Sequence, residues 1–273
     1  MNSSLQADCG RCFGLCCVAL PYARSADFPL DKDGGTPCRN LQDDFRCGIH
    51  EHLRDKGFKG CTVYECFGAG QKVSQNTFSG LDWETNPELA KEMFDVFPIM
   101  QQLQEIMYYL TEAVNLNETK PILHELEMAI GEIEELTQRS ASEIKQMNVS
   151  DIRMKINELL IRTSELVRAE YIHKKYLIKR KPSDLIGAKL QKADLRGANL
   201  RGALLIAANL KNADLRKVDL IGADLRDADL SGADLRGSIF LTQAQVNSAK
   251  GDAETKLPVS LTQPNHWLRV KVK

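Results

Sequence analysis

The last 207 residues of this 273-residue chain contain no cysteine, whereas eight cysteines lie between Cys9 and Cys66. The chain also has no apolar run near the eighteen or so residues that cross a bilayer, which argues against a membrane protein. With 36 basic and 37 acidic side chains, its formal net charge of -1 does not favour nucleic acid as a partner. It has five histidines and no serine in a nucleophile-elbow context, so the common hydrolytic classes have no candidate residues.

The amino-terminal segment lacks the basic region that precedes a cleaved signal peptide. The sequence MNSSLQADCGR carries Asp8 and one basic residue, Arg11. The apolar run Cys12 to Leu20 contains clustered sulfurs that cleavage would discard. We therefore expect a cytoplasmic protein whose thiols stay reduced.

The cysteine block begins as Cys9-x2-Cys12-x3-Cys16-Cys17. A two-residue spacer lets Cys9 and Cys12 bind one ion from a single turn. Glycine and proline punctuate the block, so we expect little hydrophobic core there and a direct contribution of metal binding to folding. All eight thiols are candidate ligands of zinc or iron: Cys9, Cys12, Cys16, Cys17, Cys38, Cys47, Cys61 and Cys66.

Eight thiols permit two mononuclear sites, one polynuclear cluster, or one four-ligand site with other thiols left over. Adjacent Cys16 and Cys17 rarely reach one tetrahedral ion without strain, so we expect them to serve different ions or one to be a non-ligand. An iron–sulfur cluster is left as an alternative, although the spacing of the cysteines matches no standard ferredoxin motif. His50 and His52 lie in a polar helical stretch typical of a surface, and ligation by either is also left open.

The segments CGRCFGLCC, PCRNL and RCGIH, followed by Cys61, are similar to a bacterial domain family described as zinc- or iron-chelating cysteine clusters. The resemblance implies seven of the eight cysteines as ligands and leaves Cys66 outside the pattern. So many thiolates favour closed coordination over the open position that catalysis needs. We therefore favour a binding module over an enzyme.

Between Asn86 and Lys181 the apolar residues follow a helical period. Asn86 and Pro87 form a cap and first-turn pair, and a break is expected at Pro98. Three apolar stripes predict a helical hairpin or a three-helix bundle. The stripes are Ile99, Leu103, Ile106, Leu110 and Ala113; Ile122, Leu126, Ala129, Ile133 and Leu136; and Ile152, Ile156, Leu159, Thr163 and Leu166.

Leucine recurs at every fifth residue from Leu185 through Leu235, and Phe240 takes the next place. Alanine stands two positions before nine of these twelve centres. A period of five suits neither a helix nor a strand, so it predicts a solenoid in which four units make one square coil, with leucine and alanine inside.

The segment from about Ser183 to Phe240 resembles the pentapeptide-repeat proteins, which implies a short right-handed quadrilateral β-helix of about three coils. The expected fold class is therefore multidomain α + β. Its parts are a loop-rich, metal-stabilised cysteine domain (1–80), a helical region (86–181), the solenoid (183–243) and a carboxy-terminal cap (244–273). The residues expected to close the carboxy-terminal end of the solenoid are Val246, Trp267, Leu268, Val270 and Val272.

The leading hypothesis is a metal-binding protein that uses the repeats to contact another macromolecule, with a protein favoured as partner and an end-to-end homodimer left open. One alternative, a DNA mimic that protects topoisomerases, needs strong negative charge, yet Leu185 to Phe240 holds nine basic residues against seven aspartates. A metal-dependent or iron–sulfur redox enzyme is a second alternative. The basic segment Tyr171 to Lys181 raises nucleic acid as a partner, but its charge suits a helix carboxyl terminus.

Overall fold

The computed structural model describes residues 3–171 and 184–268. These residues form two compact units. The amino-terminal unit comprises 3–116 and 120–160, and the carboxy-terminal unit comprises 117–119, 161–171 and 184–268. The basic residues 172–181, considered above as a nucleic-acid contact, lie outside the described part of the chain.

Helices account for 44% of the described residues. The α-helices are α1 (Leu15–Val18), α2 (Lys59–Thr62), α3 (Ala69–Lys72), α4 (Pro87–Val114), α5 (Leu123–Thr137), α6 (Ala141–Lys145), α7 (Val149–Arg168), α8 (Gln243–Ser248) and α9 (Asn265–Leu268). Short 3-10 turns lie at Ser3–Leu5, Cys9–Arg11, His50–His52, Asn117–Ile122 and Ala169–Tyr171, and a π-helical turn at Val73–Thr77. None of the helices described is both long and apolar enough to cross a bilayer.

Helix α4 is the main support of the amino-terminal unit. It begins after Asn86 with Pro87 in its first turn, as expected. The predicted break at Pro98 is wrong, because α4 continues through it. A proline inside a helix removes one backbone hydrogen bond, but Phe97 and Met100 on either side are fully buried and hold the helix in place.

The cysteine loops share a hydrophobic core with the helices that follow them. Leu15 and Val18 of α1, together with Ala69 and Val73, pack with Met93, Val96, Phe97 and Met100 of α4 and Ile144 of α6. The expectation that this segment has little core is therefore wrong. Burial of these side chains, each contributing about 1.5 to 3 kcal/mol for the larger ones, stabilises the loops without any ligand.

The predicted β-helix is not seen, because the described residues contain no strand and no sheet. In the repeat region one residue per unit forms an isolated parallel bridge, and bridges account for 7% of the described residues. The reason is a left-handed residue two positions after each leucine, which ends the extended backbone in every unit. These residues are Gly187, Lys192, Gly197, Gly202, Ala207, Asn212, Lys217, Gly222, Asp227, Gly232 and Gly237.

Residues 184–240, here named the repeat coil, are built from turns joined at these bridges. The bridges pair residues twenty positions apart, such as Asp194 with Asp214, so four units complete one circuit. The Leu195 amide donates to Asp214 O at 2.9 Å, and the Asp214 amide donates to Ala193 O at 3.0 Å. The backbone is thus paired without a ladder. The leucines and alanines predicted to point inward form the core of this unit.

The chain after the coil closes its carboxy-terminal end. Val246 and Trp267 are buried in the core of the coil, as predicted. The Gln245 side-chain amide donates to Leu220 O at 2.9 Å and Ala223 O at 2.8 Å, so carbonyls at the end of the coil have partners. Leu268, predicted for the same cap, is 50% exposed, so this part of the prediction is wrong. Val270 and Val272 lie outside the described residues.

Candidate functional site

All eight cysteines are free thiols in the amino-terminal unit. Cys38 is buried, Cys9 and Cys61 are exposed, and the remaining five are half-buried. Six of them pack in two hydrophobic clusters, three in each, and Cys9 and Cys61 belong to neither cluster. We describe the two clusters in turn.

Cys12, Cys16 and Cys66 pack against the core that α1 and α4 form. Burial raises the pKa of Cys66, and the backbone amides of Gly70 and Gly68 partly offset this by donating to its sulfur. A methyl group on Gly70 would lie 2.6 Å from the Cys12 sulfur, so only glycine lets that thiol approach the start of α3. The Gly68 to Gly70 turn therefore brings Cys66 and Cys12 to the same place.

Side chains from residues 71–83 hold the loop that carries Cys9 and Cys12. The Ser74 hydroxyl accepts from the Phe13 amide at 3.0 Å, and the Trp83 indole donates to Phe13 O at 2.8 Å. The Gln71 amide donates to Gln6 O at 2.7 Å, and the Gln75 amide to Arg11 O at 2.9 Å. The first two cysteines are thus fixed by contacts about sixty to seventy residues away in sequence.

A second cluster contains buried Cys38 with Cys17 and Cys47 at its edge. Its apolar members are Leu53 and Phe58, with Phe28 and Tyr22 stacked at 4.3 Å between ring centres. The Tyr22 hydroxyl donates to the Cys38 sulfur at 3.4 Å. Burial, with smaller contributions from the charges of Cys17, Cys38 and Cys47, raises the pKa of Cys61 to about 12. The Cys61 amide donates to Phe58 O of this cluster at 3.2 Å.

Lys32 is the cation of this second cluster. It is 7% exposed, and its ammonium donates to Val18 O at 3.1 Å, Asp33 O at 2.9 Å and Thr36 O at 2.8 Å. It also lies 5.6 Å from the centre of the Tyr22 ring. Burial lowers the pKa of Lys32, while the neighbouring Cys38 and Cys17 raise it. A buried ammonium of this kind stabilises thiolates.

Cys16 and Cys17 stand where the two clusters meet, with their sulfurs 4.0 Å apart. Their hydrogen bond raises the pKa of Cys16 and lowers that of Cys17, and the charge of Lys32 favours the Cys17 thiolate further. The surroundings therefore favour a thiol at Cys16 and a thiolate at Cys17.

Eight thiols are suitable ligands for a thiophilic metal, but their sulfur atoms are placed as in free thiols and do not surround one point. In the described part of the chain, no three His, Cys, Asp or Glu side chains converge closely enough to hold a metal ion. His50 and His52 are exposed on a 3-10 turn. Burial and neighbouring thiols raise the pKa of Cys12 to about 11 and also that of Cys9. A bound cation reverses such repulsion, because it stabilises thiolates.

Two further features shape this region. The first is the Gly68 to Gly70 turn, for which the Gly-x-Gly pattern two residues after Cys66 is the available sequence signal. The second is Lys32, for which there is no such signal, because nothing in a sequence marks a lysine as buried. Metal ligation by the eight cysteines stays a prediction.

Comparison with known proteins identifies two relationships. Residues 183–220 and 203–240 match the family model of pentapeptide repeats, with eight copies. A protein of Bacillus subtilis (strain 168) named "Uncharacterized protein YybG" is 65% identical to this chain over 268 residues. The match covers 98% of this chain and 96% of that protein, so it includes the cysteine block as well as the repeats.

Proposed function

This chain belongs to the same protein family as YybG of Bacillus subtilis, and we propose that it is a cytoplasmic metal-binding protein with a repeat scaffold. It binds zinc or iron through its cysteine block and uses the repeat coil to contact another macromolecule. The observation that supports this proposal is the gathering of eight free thiols in one compact unit, where their charges affect one another.

Burial and neighbouring thiols raise the pKa of Cys9, Cys12 and Cys61 and so favour their protonated forms. A divalent cation replaces those protons and binds the sulfurs at about 2.3 Å. Backbone amides already point at Cys66, Cys12 and Cys47, which is the kind of outer support that metal-bound thiolates receive. Because the fold has its own core, metal binding adds to the stability of the unit rather than creating it.

The repeat coil supports a scaffold role better than DNA mimicry. Four of its aspartates each pair with the arginine two residues later, with a nitrogen–oxygen distance of 2.6 Å. Arg201 also neutralises Asp219, which is fully buried, at 2.8 Å. A DNA mimic must leave its acidic groups uncompensated, whereas here each of these carboxylates has its own cation. The four pairs are Asp194 with Arg196, Asp214 with Arg216, Asp224 with Arg226 and Asp234 with Arg236.

Two exposed apolar side chains of the coil add support for contact with a protein. Leu204 is 39% exposed and Ile186 is 47% exposed, at positions where most units carry a polar residue. The partner we propose is therefore a protein with a complementary apolar surface rather than a nucleic acid.

Anaerobic purification followed by metal analysis and absorption spectroscopy tests the metal-binding proposal. We expect zinc or iron bound in near-stoichiometric amount, with thiol reagents blocked until a chelator removes the metal. A colourless zinc protein supports a structural or regulatory binder, and a brown protein with acid-labile sulfide supports an iron–sulfur cluster and redox chemistry. The His50→Gln and His52→Gln variants serve as controls that keep all eight thiols. A folded protein that is metal-free and has eight reactive thiols overturns the proposal.

A further inference from the structure

We infer that the eight cysteines form two separate four-thiol metal sites that meet at the adjacent pair Cys16 and Cys17. The first thiol group is Cys9, Cys12, Cys16 and Cys66, and the second is Cys17, Cys38, Cys47 and Cys61. Each takes one thiophilic dication, Zn²⁺ or Fe²⁺. This inference rests on the proposed function and divides its ligands between two ions.

Packing separates six of the eight thiols. Cys12, Cys16 and Cys66 lie against Leu15, Ala69 and the α4 residues of one hydrophobic cluster. Cys17, Cys38 and Cys47 belong to the other cluster, around Leu53 and Phe58. Cys16 and Cys17 are neighbours in sequence but pack on different clusters, which is the arrangement that avoids forcing two adjacent residues onto one tetrahedral ion.

The two exposed thiols complete the groups. The Cys61 amide donates to Phe58 O at 3.2 Å, and Phe58 is a core residue of the second cluster, so Cys61 adds a fourth sulfur to the second group. Cys9 is exposed and belongs to neither hydrophobic cluster. Its assignment to the first group follows from the two-residue spacer, which places it beside Cys12 on the turn Cys9–Arg11.

Their charged surroundings also distinguish the groups. Lys32 donates to Val18 O and Thr36 O, close in the chain to Cys17 and Cys38 of the second group. Glu65 directly precedes Cys66 of the first group, and its carboxylate accepts from the Phe67 amide at 3.0 Å. A dication with four thiolates carries a net charge of -2. The ammonium compensates part of that charge in the second site, whereas the carboxyl group beside the first site supplies no compensating charge.

Loading requires the sulfurs of each group to converge, because they are not arranged for coordination as free thiols. Two groups of four give closed coordination without an open position for water. The sites therefore suit structural, sensing or electron-carrying use, and a hydrolytic role does not follow from them.

Paired substitutions in the full-length protein test the division. Metal content per chain is measured by mass spectrometry after anaerobic purification, together with Co²⁺ titration of the chelator-treated protein followed by its thiolate absorption. Wild type is expected to bind about two ions. Cys16→Ser and Cys17→Ser should each lose about half of the metal. Cys12→Ser with Cys66→Ser should also lose half, whereas Cys12→Ser with Cys38→Ser should lose nearly all of it.

Circular dichroism confirms that each variant is folded, and His50→Gln is the matched control that removes a nearby non-thiol donor. Loss of all metal from every single variant indicates one shared cluster and overturns the division. Equal losses from the two double variants overturn it as well. A wild-type protein that binds no metal instead refutes the proposed function, so the two failures are distinguishable.

Discussion

The repeat coil and the cysteine loops both lack regular strands in the described residues, yet different groups hold them in place. In the coil, side chains supply apolar burial and the backbone supplies the hydrogen bonds between circuits. In the cysteine loops, individual side chains such as Lys32, Gln71 and Trp83 add hydrogen bonds to backbone carbonyl oxygens. Truncating an apolar side chain should therefore lower the stability of the coil most. Truncating a polar side chain should lower the stability of the cysteine loops most.

The two tryptophans allow each unit to be followed separately. Trp83 lies in the amino-terminal unit and Trp267 in the carboxy-terminal unit. A Trp267→Phe background reports unfolding of the first unit by fluorescence, and a Trp83→Phe background reports the second. The variants below are to be measured in the appropriate background.

The largest expected effect comes from truncating one leucine inside the coil. Leu205 is fully buried, so Leu205→Ala should lower the free energy of unfolding of the carboxy-terminal unit by about 2 to 5 kcal/mol, through lost burial and a residual cavity. The adjacent Leu204 is 39% exposed, and Leu204→Ala should cost less than about 1 kcal/mol. Urea unfolding followed through Trp267 measures both. Equal costs would show that the coil is not held by its interior side chains.

Removing one buried ammonium should have the next largest effect, in the other unit. Lys32→Met removes one donor from each of three carbonyl oxygens, of which Val18 O and Asp33 O keep a backbone amide donor, and should lower the stability of the amino-terminal unit by about 1 to 3 kcal/mol. The control is Lys91→Met, because its side chain is 89% exposed and pairs with Asp95 on the surface; it should cost less than about 0.5 kcal/mol. The readout is urea unfolding through Trp83. A cost for Lys32→Met no larger than the control would mean that the loops do not depend on this lysine.

A smaller effect tests the left-handed positions of the coil. Gly202 has a φ of +61° and no atom within 4 Å of an added methyl group, so Gly202→Ala isolates the backbone cost, about 1 to 2 kcal/mol. Ala207 has a φ of 53° in the next unit, and Ala207→Gly should raise stability by up to about 1 kcal/mol. Thermal unfolding followed through Trp267 compares the two. The two substitutions should change the stability in opposite directions. Changes in the same direction would contradict a left-handed backbone at this position of the unit.

Acid should produce the smallest effect, and in the coil first through its aspartate–arginine pairs. Hydrogen bonds from Arg216, Arg226 and Arg236 hold the pKa of Asp214, Asp224 and Asp234 below the ordinary value of 3.8. Because the folded pKa values lie below the unfolded ones, this stabilisation is present above about pH 4 and is lost as the pH falls through the lowered values. The pairs are partly exposed, so the loss should be modest and should shrink at high salt.

Unfolding of the Trp83→Phe protein by urea, at neutral pH and at about pH 3, measures this loss. The Arg226→Gln variant is the control, because it removes one donor and should reduce the difference between the two pH values. An acid loss that is unchanged by salt and by this variant would assign the effect to other carboxylates.

The interior of the coil could be predicted because one pattern is repeated in every unit, and a recurring leucine such as Leu205 has only one inward direction. The period did not show whether the backbone between leucines is extended or turned. Glycine marks the left-handed position in only some units, and Lys192 or Ala207 at that position carries no such signal. In the cysteine block, spacing predicted that Cys9 and Cys12 share a turn, but the partners of the other thiols depend on contacts between distant loops that no local pattern encodes.

The twenty-residue offset between bridged residues limits how this protein can change in length. An insertion or deletion of twenty residues would add or remove a whole circuit and leave every remaining unit above its former neighbour. A change of five residues keeps each leucine inside but advances the following chain by a quarter of a circuit. Gln245 and Trp267 would then arrive at the wrong side of the coil. Viable length variants among relatives should therefore differ by twenty residues in this segment, so the coil can be copied in whole circuits but cannot be trimmed gradually.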